Sequence, residues 1–187
     1  APYGWGKSHT LELAQQFALR AGFAVSAIEI DPLEVSFRRP KRFYRALARN
    51  LRMPGSESVG SEALVRRIVS ARSAEIPSVA ARLRILGPAL LNYTHFEDGS
   101  LTRSLVVSYM AGDEAPASIL NRLALRDRRL GSFASIPNYS TIGSIEAAVK
   151  LIGDLGRLAL EAGAKGLAIL IDEGEHYREL SADLRER

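Results

Sequence analysis

The first eight residues constrain the fold more than any other feature. Ala1-Pro2-Tyr3-Gly4-Trp5-Gly6-Lys7-Ser8 runs straight into a helical pattern, a glycine and then a strand pattern. Gly6-Lys7-Ser8 completes the second half of the G-x-x-x-x-G-K-[ST] phosphate loop, with Ala1 standing where the first glycine belongs. Glycines let backbone N–H groups turn inward and form a concave nest for an anion. A helix that follows adds its positive end to the attraction. On this reading Tyr3, Gly4, Trp5, Gly6, Lys7, Ser8 and His9 line a nucleotide. Lys7 reaches the β- and γ-phosphates and assists catalysis, while the Ser8 hydroxyl is a ligand of Mg²⁺. Between Ser8 and Ala21, Leu13, Phe17 and Ala21 recur at helical spacing beside Leu11, Ala14 and Ala18. Gly22 falls where a left-handed helix cap is expected. Phe23 to Ile30 then reads as a strand, closed by Asp31-Pro32.

A second signal lies near the other end, in Gly166-Leu-Ala-Ile-Leu-Ile-Asp-Glu173. Five consecutive apolar residues predict a strand of a parallel sheet buried on both faces. Its carboxyl tip carries Asp172 and Glu173, and open α/β sheets bind ligands at that end of their strands. In P-loop ATPases of the additional-strand catalytic-glutamate class, such a pair divides the work. Asp172 holds the Mg²⁺ shell, and Glu173 orients and activates the attacking water.

The expected fold is therefore α/β: an AAA+-like P-loop NTPase, with strands near 23–30 and 166–172 and a largely helical insertion over 32–165. At 187 residues the chain suits one domain. Helices are predicted over 40–52, 61–74, 79–91 (after a break at Pro77), 118–127 and 141–162. In the last of these Ile142, Ile145, Val149, Ile152, Leu155, Ala159 and Ala162 step by three or four. Residues 105–110 are ambiguous between strand and helix, and 128–140 read as loop. Because the chain begins inside the loop, the expectation is a fragment of a larger ATPase, lacking the strand before the loop.

Lys7, Lys41, Lys150 and Lys165 are the only lysines among 25 basic residues; the rest are arginine. The net charge of +4 is modest, but guanidinium forks match phosphate geometry and never deprotonate. Arg42, Arg45, Arg49 and Arg52 share one face of the helix predicted over 40–52, with Phe43, Leu47 and Leu51 opposite. That face is either solvated, or a nucleic-acid backbone contact, or a dock for an acidic partner. Arg126, Arg128 and Arg129 form a weaker cluster. The absence of cysteine excludes disulfides and thiolate chemistry and fits a cytoplasmic location. His9, His95 and His176 lack the spacing of a helical metal site. No apolar run is long enough to cross a membrane.

Pro2-Tyr3-Gly4-Trp5-Gly6-Lys7-Ser8-His9, Phe43-Tyr-Arg-Ala-Leu47, Tyr109-Met-Ala-Gly-Asp-Glu114 and Ala162-Gly-Ala-Lys-Gly-Leu-Ala-Ile-Leu-Ile-Asp-Glu-Gly-Glu175 occur in that order. Together they resemble the P-loop ATP-binding proteins associated with bacteriophage-exclusion (BREX) defence systems, relatives of AAA+ and initiator ATPases. The resemblance implies nucleotide contacts at Gly4, Gly6, Lys7 and Ser8, a metal-side carboxylate at Asp172 and a hydrolytic one at Glu173. ATP and Mg²⁺ are the expected cofactors, and no Asn/Thr-Lys-x-Asp guanine motif is visible. Three functions stay open: an ATPase driving conformational change in a DNA-associated or phage-defence assembly, a nucleotide-gated switch or scaffold that hydrolyses slowly, and a basic nucleic-acid-binding protein. Homo-oligomers or defence-complex partners are compatible with the first two.

Overall fold

The computed structural model describes residues 7–31, 35, 39–113, 115–126, 135–139 and 144–173. Helix α1 (Lys7–Arg20) ends at Gly22, whose φ of 91° is left-handed. There the Phe23 N–H reaches back to the Ala18 carbonyl and the Gly22 N–H to that of Leu19, at 2.9 and 3.0 Å. These are the paired bonds of a Schellman cap, which the position of the glycine predicted. Strand β1 (Ala24–Glu29) follows.

Helix α2 (Pro40–Arg49) stops three residues earlier than its periodicity suggests. Leu51 and Arg52 instead form strand β2, antiparallel to β1 with Ser26 opposite Leu51 and Val25 opposite Arg52. Backbone pairing with an open strand edge overrides a weak helical preference, so Arg52 leaves the α2 face. Phe43, Leu47 and Leu51 are nonetheless all buried. Ser26, fully buried in β1, donates its hydroxyl proton to the Leu47 carbonyl at 2.8 Å and ties α2 to the sheet.

Helix α3 (Ser61–Arg72) passes through a single 3₁₀ turn into α4 (Ile76–Ala81). Pro77 lies in the first turn of α4, where its missing N–H is no loss, so it opens a helix rather than separating two. The helix predicted over 79–91 is broken in two, because α5 (Gly87–His95) starts afresh after residues 82–86. The cause is remote in sequence. Asp154, 2% exposed, accepts the backbone N–H groups of Arg84, Ile85 and Leu86 at 2.7–2.8 Å. Gly87 has no room for a side chain: a Cβ there would lie 2.4 Å from the Ala80 carbonyl oxygen.

The ambiguous stretch at 105–110 is helical, within α6 (Leu101–Met110), whose Ser100 side chain caps the Arg103 N–H. Helices α7 (Ala115–Arg126) and α8 (Ser144–Glu161) complete the set before strand β3 (Leu167–Asp172). Residues 135–139, expected as loop, are held by ring stacking of Tyr139 on Tyr109 and by two hydrogen bonds between Asn121 and the Ile136 backbone.

β1 and β3 are parallel and adjacent, from Ala24 opposite Leu167 to Glu29 opposite Asp172, and the described sheet runs β2-β1-β3. The strand buried on both faces is β1, in which Ala24, Val25, Ser26 and Ile28 are at most 5% exposed. β3 is only half-buried, contrary to its unbroken apolar sequence, with Ile171 36% exposed. The reason is position: among the described residues β3 has a partner strand on one side only. The buried side of α8 also differs from the predicted stripe. Leu155, Ala159 and Ala162 are buried as expected, together with Ala147, Leu151 and Leu158, but Ile145 and Val149 point to solvent. No described helix is long and apolar enough to cross a membrane.

Candidate functional site

Two turns align the strands that carry the candidate chemistry. Gly163 caps α8 as Gly22 caps α1, and the Lys165 N–H donates to the Gly22 carbonyl at 2.8 Å. The Ala24 N–H then donates to the Gly166 carbonyl at 2.9 Å. With their starts fastened together, β1 and β3 advance in register and end level. Glu29 and Asp172 are direct neighbours, and the Ile30 N–H donates to the Asp172 carbonyl at 3.0 Å.

Helix α1 packs on both strands. The Gly22 turn reverses the chain, so α1 runs back across the sheet. Its 14 residues span about 21 Å, and a six-residue strand spans about 20 Å. Equal lengths carry the amino-terminal end of α1, and with it the Lys7 and Ser8 backbone, toward the strand ends where Asp172 stands. His9 is exposed on the first turn. Tyr3, Gly4, Trp5 and Gly6 lie outside the described residues, as do Glu175, His176, Arg128 and Arg129.

Asp172 and Glu173 form a compact unit, with one Asp172 carboxylate oxygen accepting the Glu173 N–H at 2.9 Å. Glu173 has φ of 57°, the single left-handed non-glycine among the described residues. That conformation costs a residue with a Cβ roughly 1–2 kcal/mol. Asp172 and Glu173 both remain partly exposed. Glu29 and Asp31, at the end of the neighbouring strand, are exposed as well, which makes the carboxyl edge of the sheet acidic. No group of three or more His, Cys, Asp or Glu converges among the described residues.

The predicted basic face changes in membership and in partners. Arg42, Arg45 and Arg49 stay on α2, without Arg52. Asp113 sits opposite them, 2.9 Å from Arg45 Nη2 and 3.4 Å from Arg49 Nη2. Val35, Arg42, Arg45, Ala46 and Arg49 line a cavity of about 260 Å³. Asp113 was visible in the sequence only as part of a resemblance, since nothing in its local pattern reveals a partner more than sixty residues away. Compared with protein families, with curated proteins and with solved structures, the chain matches none of them.

Proposed function

We propose that this chain is a P-loop, AAA+-like ATP-binding protein and ATPase, cytoplasmic, resembling the BREX-associated family. ATP binding and hydrolysis would drive conformational change in a DNA-associated or phage-defence assembly. The observation that supports this most is the level ending of β1 and β3, with Asp172 at the carboxyl edge and α1 running back toward it. On this reading the Gly-Lys-Ser loop that enters α1 and the Asp-Glu pair that leaves β3 share one end of the sheet.

The roles follow from chemistry. Lys7 neutralises the β- and γ-phosphates, while the N–H groups of Tyr3, Gly4, Trp5 and Gly6 cradle them and His9 lies alongside. Ser8 and Asp172 suit Mg²⁺, which favours hard oxygen ligands and usually takes one or two carboxylates, leaving the rest of its shell to water and phosphate. A full cluster of protein ligands is therefore not required. When bound, the ion offsets the negative charge of the phosphates. Glu173 accepts a proton from the attacking water.

Glu173→Gln tests the reading. Hydrolysis should fall by a factor on the order of 10² or more while ATP binding persists. Unchanged turnover would remove Glu173 from this role. Lys7→Ala should abolish tight ATP binding, and retained affinity would make the Gly-Lys-Ser match accidental. A nucleotide-gated switch with slow hydrolysis is the second reading, favoured by Ala1 in place of the first loop glycine; slow wild-type turnover with intact binding would select it.

A further inference from the structure

We infer that the cavity lined by Val35, Arg42, Arg45, Ala46 and Arg49 receives phosphate groups of a nucleic-acid strand, in competition with the Asp113 carboxylate. The inference deepens the DNA-associated part of the proposed function and is independent of the nucleotide site.

The wall is built by two local devices. Asp31 and Val35 exchange a pair of backbone hydrogen bonds at 2.9 Å, closing a short loop beyond β1. Pro40 then opens α2, and Arg42, Arg45 and Arg49 follow at spacings of three and four, on one side of the helix. This row extends about 10 Å along the axis, enough to follow successive phosphates of one strand.

Asp113 shows what the row is arranged to hold. Its two oxygens face two different guanidinium groups, one on Arg45 and one on Arg49. The two non-bridging oxygens of a phosphodiester offer a similar pair of acceptors, and guanidinium binds both groups as a fork. The turn that presents Asp113 is pinned. Tyr44 Oη donates to the Met110 carbonyl at 2.7 Å, and Gly112, at φ of 98°, lies against the Arg45 backbone and the Tyr44 ring. The ion pairs themselves are not buried: the Asp113 side chain is 28% exposed and that of Arg49 58%. Exposed pairs of this kind contribute only about 0–1 kcal/mol, so an incoming phosphate has little to displace. Arginine in place of lysine, the bias of the entire chain, suits an acceptor with two oxygens such as a phosphodiester, which the guanidinium fork meets with two N–H groups.

The test is fluorescence anisotropy of the full chain with a labelled oligonucleotide at several salt concentrations. In the Arg42→Gln/Arg49→Gln variant, affinity should fall about tenfold or more, and the slope of log affinity against log salt should shrink by about 2. Asp113→Asn should tighten binding about threefold or more, whereas a purely structural ion pair would leave binding unchanged or weaken it. Thermal melting verifies that both variants fold. Absence of DNA binding by the wild type, or an unaltered salt slope, overturns the inference. Displacement of DNA by inorganic phosphate at matched ionic strength identifies a small-anion site and overturns the backbone assignment, and equal displacement by polyglutamate does so in favour of an acidic protein. Lys7→Ala should lose ATP and keep DNA, so the two readings fail separately.

Discussion

Leu155 and Val149 lie six residues apart on α8 and meet opposite fates. Leu155 is fully buried, whereas Val149 is 63% and Ile145 71% exposed. The same division runs through the whole molecule. In the helical interior, two carboxylates are answered internally: Asp154 takes three backbone N–H groups, and Glu161 is held by Arg72 and by Arg82, the latter at 2.8 Å. Along the margin formed by α1, β3 and the outer side of α8, apolar groups face water. Phe17 is 64% and Leu160 52% exposed, and the face of α1 predicted from Leu13, Phe17 and Ala21 is turned outward. The interior is thus where stability is expected to reside, and the margin carries the candidate nucleotide site. Substitutions in the first should unfold the protein, and those in the second should alter function at nearly constant stability.

The strongest test of that division is Asp154→Ala. Three backbone donors would lose their acceptor, at a cost on the order of 4 kcal/mol in denaturant unfolding. A loss below about 1 kcal/mol would mean the interior does not depend on this carboxylate. Next comes the pair on α8. Leu155→Ala should cost roughly 2–5 kcal/mol, whereas Val149→Ala should stay within about 0.5 kcal/mol of the wild type. Equal losses at the two positions would erase the comparison.

Tyr44→Phe should give a smaller loss than Asp154→Ala, about 1–2 kcal/mol, through the unanswered Met110 carbonyl. Tyr44 also sharpens the contrast through pH. Burial first, then the nearby negative charge of Asp154, pushes its hydroxyl well above the ordinary value of 10.0. Its neutral form is therefore favoured by folding. That contribution is complete below about pH 10, where the unfolded chain titrates, and declines as pH rises further. Alkaline unfolding curves of Tyr44→Phe should decline less steeply above pH 10 than those of the wild type; parallel curves would show that Tyr44 does not carry the effect.

Much of the fold was legible from short-range chemistry. Gly22 announces a left-handed cap because a side chain resists that conformation, and the strands expected near 23–30 and 166–172, found over 24–29 and 167–172, follow from their apolar content. The chain order of Gly6-Lys7-Ser8 and Asp172-Glu173 was equally plain. Less legible were the end of α2 at Arg49, the split between α4 and α5, and the Asp113 partner of Arg45 and Arg49. Each depends on a group far along the chain, which local periodicity does not encode.

By itself, the sequence determined which residue types are available for phosphate chemistry and where α1, α8 and the two parallel strands lie, because these depend on side-chain size, backbone freedom and spacing within a few residues. Tertiary structure alone decided that, among the described residues, β1 has a partner strand on both sides and β3 on one, that Ile145 and Val149 face out, and that Glu29 and Asp172 end level. Burial and strand register arise from the neighbours an element acquires, and an apolar pattern reads the same whether one face is covered or two.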